Sequence, residues 1–252
     1  MKTRILLIVT VFSLLILTSC GAAPEAPAEE PAAEQPAMPD ERGDELYVLE
    51  SAVWDSNIIN LCWENPDQNN QRERVLIQAA IENTWEAVSL VDFIGWGECT
   101  NTSRGVRIQF SDESPHTKEL GANVDGLENG MVLNISFANW GCVDASGNLT
   151  PCVFPYKGYS REDLIRVTAV HEFGHALSFS HEQNRADTPS WCDKQQGPDG
   201  TMPVGGWDLE SVMNYCNPLW VGDGNLSTTD IAGVQMIYGV KIIEKGHRKF
   251  FD

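Results

Sequence analysis

Three of the five histidines of this 252-residue chain fall within eleven residues, in the run HEFGHALSFSH from His171 to His181. No other feature restricts the fold as much. Residues four apart share one face of a helix, so a helix through His171-Glu172-Phe173-Gly174-His175 aims both imidazoles at one place and sets Glu172 one position along. Two nitrogen donors beside a carboxylate that can address a water are the makings of a zinc site. A third ligand completes the protein's share and leaves one coordination position open, and His181 supplies it. His116 and His247 stand alone and are read as surface or structural residues.

The compartment comes from the N-terminus. Lys2 and Arg4 precede an apolar run from Ile5 to Leu17, too short to span a bilayer comfortably and shaped like a secretory signal. It ends in Leu17-Thr18-Ser19-Cys20-Gly21, which resembles the bacterial lipobox, so residues 1–19 are expected to be a lipoprotein signal peptide and Cys20 the lipidated first residue. Acidic residues outnumber basic ones 36 to 17, for a net charge of −19, and a phosphate backbone would be repelled. Nucleic acid is therefore excluded as a partner, and contact with a membrane is expected through the lipid alone. Residues 20–45 are mostly Ala, Pro and Glu, the composition of a solvated tether. Arg42-Gly43-Asp44 within it is read as a chance tripeptide. With Cys20 taken by lipid, six of the seven cysteines remain: Cys62, Cys99, Cys142, Cys152, Cys192 and Cys216. An even number in an exported domain predicts three disulfides; proximity favours Cys142 with Cys152, and Cys192 with Cys216 would brace the segment after the helix, among fifteen pairings.

The folded domain is expected over residues 46–240, with a basic tail over 241–252. Alternation predicts a strand from Val53 to Trp63, and apolar spacing of three and four predicts a helix from Gln71 to Val91. Gly105 to Phe110 and Gly130 to Phe137 read as short strands, the second a candidate edge for an antiparallel substrate. Ser160-Arg-Glu-Asp163 is a capping box that opens the histidine helix, and Ser227-Thr-Thr-Asp230 opens a last one ending near Gly239.

HEFGHALSFSHEQNR resembles the zinc signature of the metzincins, and Glu182-Gln183-x-Arg185 is similar to the astacin-like branch. Ser211-Val212-Met213-Asn214-Tyr215 resembles the astacin Met-turn, and LSTTDIAGVQMIYG a metzincin C-terminal helix. The resemblance implies an α+β metzincin-like zincin fold: a twisted, mixed five-stranded sheet with the active-site helix, then an irregular C-terminal subdomain with a C-terminal helix. It implies one Zn2+ on His171, His175 and His181, Met213 as an apolar floor, and Tyr215 as a further zinc ligand that swings to stabilise an oxyanion. Glu172 would be the general base of a metal-activated water.

Three positions call for comment. Ser178 stands where the family has the glycine of a sharp reversal with positive φ, and Asn214 replaces the usual Met-turn histidine. Glu182 matches the glutamate that in mature astacins holds the new N-terminal ammonium. A lipidated Cys20 offers no such amine, so either the tether is clipped near Asp44 or Glu182 pairs with a cation such as Arg185, the reading preferred here.

The sequence thus points to an extracytoplasmic, lipid-anchored zinc endopeptidase of the bacterial envelope, acting on protein or peptide as a monomer. A zinc-stabilised surface adhesion module without turnover and a cell-wall peptide hydrolase are the alternatives. Asp223-Gly224-Asn225 and Asp199-Gly200 carry carboxylates that a Ca2+ ion could use, but are read as turns first.

Overall fold

The computed structural model describes residues 46–241, apart from 140, 141, 145, 193, 220 and 221. The expected signal segment, Cys20, the tether with its Arg42-Gly43-Asp44, His247 and the tail from residue 242 lie outside the described residues. In chain order the elements are β1 (Leu46–Val48), β2 (Ile58–Trp63), α1 (Gln71–Glu82), a single helical turn α2 (Trp85–Val88), β3 (Asp92–Glu98), β4 (Val106–Phe110), β5 (His116–Thr117), β6 (Met131–Leu133), β7 (Cys142–Val143), β8 (Leu149–Thr150), α3 (Arg161–Ala176), β9 (Phe179–Ser180), β10 (Met202–Val204) and α4 (Thr228–Tyr238).

Five strands form a mixed sheet in the order β3-β2-β4-β6-β5, parallel except for β5, which runs antiparallel to β6 at one edge. α3 packs on it through aromatic rings: Phe173 meets Phe93 edge-on at 4.9 Å and stacks on Trp96 at 6.0 Å. α1 packs against α3, Ile77, Ile81 and Trp85 are buried, and the Trp85 Nε1 donates to the Val170 carbonyl at 2.9 Å. This is the α+β arrangement expected, and the segment between His181 and Ser227 is largely irregular, as expected, before α4 closes the chain.

Four elements differ from expectation. The strand predicted from Val53 begins at Ile58, because residues 50–52 form a tight turn and Trp54 is diverted to donate its Nε1 to the Ala176 carbonyl. The helix predicted to Val91 stops at Glu82: Asn83 Nδ2 and Thr84 Oγ1 bond back to the carbonyls of Ala79 and Ala80, the local competition that ends helices. β3 was not anticipated, since Gly95 and Gly97 break its alternation. Gly95 adopts φ +111° at a register shift against β2, where a Cβ would lie 2.4 Å from the Leu61 carbonyl oxygen. Finally, Gly130 to Phe137 yields only β6, and β6 is flanked by β4 and β5, so it is not an edge. The strand ends because Asn134 Oδ1 accepts from the amides of Ser136 and Phe137.

Beyond the main sheet, β1 lies antiparallel between β9 and β10, while β7 and β8 form a short hairpin. Disulfides join Cys62 to Cys99, Cys142 to Cys152 and Cys192 to Cys216. Among the described residues no helix is long and apolar enough to cross a membrane.

Candidate metal centre

The site is built on the buried last turns of α3. Ser160 caps its start, accepting from the Asp163 amide while Asp163 accepts from the Ser160 amide. The last two turns, from Thr168 to Ala176, are buried throughout and carry His171, Glu172 and His175. After Leu177 the chain turns through Ser178 at φ +74°, pairs as β9 with β1, and delivers His181. Ser178 takes this left-handed conformation with its Oγ donating to the Leu49 carbonyl at 2.5 Å. Its Cβ fits because the residue facing it is Gly121, where a Cβ would come within 2.8 Å.

The three imidazoles converge. His181 Nε2 lies 3.2 Å from both His171 Nε2 and His175 Nε2. Each Nδ1 meets a backbone carbonyl instead: Val212 for His171 at 2.7 Å, Phe179 for His175 at 2.7 Å and Gln196 for His181 at 2.8 Å. Those carbonyls accept only, so they fix the proton on Nδ1 and leave three Nε2 lone pairs aimed at one point. Burial pushes the His171 ring down to about 3, His175 well below the ordinary imidazole value, and His181 down as well, with mutual repulsion adding to the first two. Three neutral, buried, oriented imidazoles whose lone pairs repel one another are a donor set that a divalent cation relieves, and the chemistry fits Zn2+. Among the described residues this is the one cluster of three or more such ligand groups. The carboxylate of Asp223 accepts both the main-chain and side-chain amides of Asn225, the bonding of a turn, and Asp199 accepts from the Asn184 side chain.

Glu172 is buried next to His171, and burial pushes its carboxyl up to about 8 against the lowering effect of Thr117. Thr117 Oγ1, on edge strand β5, lies 3.0 Å from Glu172 Oε2 and 3.1 Å from the Glu172 carbonyl oxygen. Tyr215 stacks on His171 at 5.0 Å and tilts over His181 at 4.4 Å, and burial raises its hydroxyl pKa. These groups line a cavity of about 110 Å³ together with His116, Leu120 and Pro198. His116, read from sequence as an isolated surface or structural residue, is on the wall of the site, its Nδ1 bonded to the Ser114 carbonyl at 2.8 Å. Neither His116 nor Thr117 carries a local signal, since a two-residue strand is defined only by the partner it pairs with.

The turn from Ser211 to Tyr215 is held from α4. Asp230, the third residue of that helix, accepts from Ser211 Oγ at 2.7 Å and from the Val212 amide at 3.0 Å, and Val212 in turn receives the His171 Nδ1 proton. Met213 is buried, and a Cβ on Gly174 would lie 2.3 Å from its sulfur, so the glycine inside HEFGH is the space that Met213 fills. Asn214 donates to the Asp208 carbonyl and accepts from the Cys216 amide, next to the Cys192–Cys216 bridge. Glu182 is fully buried, accepts from the Asp208 amide at 3.3 Å, and stands 3.5 Å from Arg185. Arg185 binds Asp187 more closely, through two hydrogen bonds of 2.8 and 2.9 Å, and burial pushes Glu182 up to about 8.

No family model matches the chain, and no curated protein matches its sequence. Among solved structures, myroilysin is similar at 18% identity and TM-score 0.50, over 77% of this chain and 99% of that one. A second myroilysin structure matches at 17% identity and TM-score 0.45, over 78% and 90%. High choriolytic enzyme 1, a hatching enzyme zinc-protease from Oryzias latipes (medaka fish), matches at 16% identity and TM-score 0.45, over 76% and 96%. At this identity the likeness to myroilysin is a likeness of α+β fold.

Proposed function

We propose that this chain is a zinc-dependent endopeptidase, exported and held by lipid at Cys20 on the extracytoplasmic side of a bacterial envelope, with residues 20–45 as its tether and a monomeric catalytic domain beyond. The observation that carries the reading is the meeting of three Nε2 atoms beside a buried carboxyl in a cavity next to a sheet edge. His171, His175 and His181 would hold the zinc, which when bound supplies Lewis acidity toward a scissile carbonyl and toward water.

The remaining work falls to the chain. β5 is the edge at which an extended peptide adds a strand, taking the place expected for Gly130 to Phe137. Glu172, buried beside the three imidazoles, takes a proton from water as a carboxylate and returns it to the leaving nitrogen. Tyr215 keeps its phenolic proton, because burial raises its pKa, and so offers a hydrogen bond to the developing oxyanion. Met213 closes the floor beneath the imidazoles.

The test is hydrolysis of quenched casein by the zinc-loaded full-length chain, with and without a chelator, beside Glu172→Ala with its zinc content measured. Chelator-sensitive cleavage is expected, with kcat about 10²–10⁴ lower in the variant at equal zinc. If the zinc-bound protein cleaves neither casein nor a diverse peptide library, the endopeptidase reading fails. Cleavage confined to peptidoglycan fragments would instead make it a cell-wall peptide hydrolase.

A further inference from the structure

The geometry points to Thr117 as a positioning residue for Glu172, whose hydroxyl holds the carboxyl in place and ties it to the strand on which a substrate would lie. This rests on the reading of Glu172 as the general base. Thr117 pairs with Met131 across the β5–β6 ladder, and the next amide, of Lys118, donates to the Gly130 carbonyl at 2.8 Å, so its backbone is fixed by the sheet. Its Oγ1 reaches across to α3, 3.0 Å from Glu172 Oε2 and 3.1 Å from the Glu172 carbonyl oxygen.

A glutamate side chain has three rotatable bonds, whereas a β-branched threonine on a strand is stiff at its one. The stiff partner therefore sets the position of the mobile one. A hydroxyl has one proton to give and lone pairs to accept with. It can donate to the carboxylate, or accept from the protonated carboxyl while donating to the main-chain oxygen, and both oxygens are within reach. Thr117 thus stays bonded to Glu172 on both sides of a proton transfer, without movement of either backbone. A peptide added at the sheet edge would lie against the same two-residue strand, which places base and substrate in one frame. Misplacing a reacting group by about 1 Å costs about 10² in rate, and this sets the scale of the expected effect.

The test compares Thr117→Val, which keeps the shape and removes the hydroxyl, with Thr117→Ser, which keeps the hydroxyl, in the zinc-loaded full-length chain. Expected are a kcat about 10- to 100-fold lower for valine, a KM within about threefold, unchanged zinc content, and recovery by serine to within about threefold of wild type. A merely structural threonine would show the reverse order, since valine replaces its packing better than serine does. The proposal is overturned if valine leaves kcat within about threefold of wild type, or if serine recovers no more than valine does. Crystal structures of zinc-free wild type and T117V give a readout apart from turnover: the Glu172 carboxyl is expected to leave its position in the variant. Should wild type itself prove inactive, the peptidase reading falls and these structures alone decide, an unmoved carboxyl overturning the role of Thr117.

Discussion

Ser178 allows the cost of a left-handed serine to be measured against what its side chain returns. It sits at φ +74°, buried, with Oγ 2.5 Å from the Leu49 carbonyl oxygen. That oxygen also accepts from the Ala52 amide at 2.9 Å, so it keeps a partner if the hydroxyl is removed. Ser178→Ala then loses one hydrogen bond, worth about 1 kcal/mol, without creating an orphaned acceptor. Ser178→Gly loses the same bond, recovers about 1–2 kcal/mol of left-handed strain, and gives back about 0.4–1 kcal/mol through the freer unfolded chain. The terms nearly cancel for glycine, which should match wild type within about 0.5 kcal/mol, while alanine falls about 1 kcal/mol below, or about 2–4 °C in Tm for a domain of this size. The assay is equilibrium denaturation of the metal-free protein with disulfides intact, because bound metal adds its own binding free energy. Glycine proving less stable than alanine would refute the reasoning, since the backbone would then carry no strain for glycine to relieve.

Gly174→Ala tests the packing under the histidines. Alanine favours a helix by about 1 kcal/mol, but its Cβ would lie 2.3 Å from the Met213 sulfur and 3.2 Å from Trp85, an overpacking that costs about 1–3 kcal/mol. The expected result is a lower denaturation midpoint together with weaker zinc binding by competition titration, and a variant as stable as wild type would contradict it. The pH dependence of the metal-free protein follows from two buried carboxyls. Glu172 and Glu182 are each raised by burial to about 8, so in the folded state they bind more protons than in the unfolded state, and their contribution is lost as pH rises toward 8. The three histidines, lowered by burial, act in the opposite sense, but only below their ordinary value near 6.5. Stability measured by urea midpoint should therefore fall between pH about 6.5 and 8, and Glu182→Gln should flatten the slope; a slope unchanged in that variant would show that Glu182 does not contribute.

Features encoded over a few neighbouring residues were legible in the sequence. The spacing of His171 and His175 defines one helical face whatever surrounds it, and Ser160 and Ser227 cap their helices with carboxylates three residues on. Cys142–Cys152 was visible as a pair of near neighbours and Cys192–Cys216 was one conjecture among fifteen pairings, whereas Cys62–Cys99 joins a strand to the end of its parallel partner and has no local trace. β3 was hidden by Gly95, which its register shift requires, and by Gly97.

What only the tertiary structure decided is who stands next to whom. That β6 is internal and β5 is the edge depends on sheet order, and a two-residue strand becomes legible only once its neighbour exists. Thr117 on Glu172, Gly174 under Met213, Gly121 opposite Ser178 and Asp230 behind the Ser211–Val212 peptide are all contacts between segments far apart in sequence. The sequence by itself determined that His171 and His175 share one helical face, because helix periodicity is local; the fold decided where His181 joins them and how all three imidazoles are oriented, because that is set by hydrogen bonds and packing that exist only after distant segments have met.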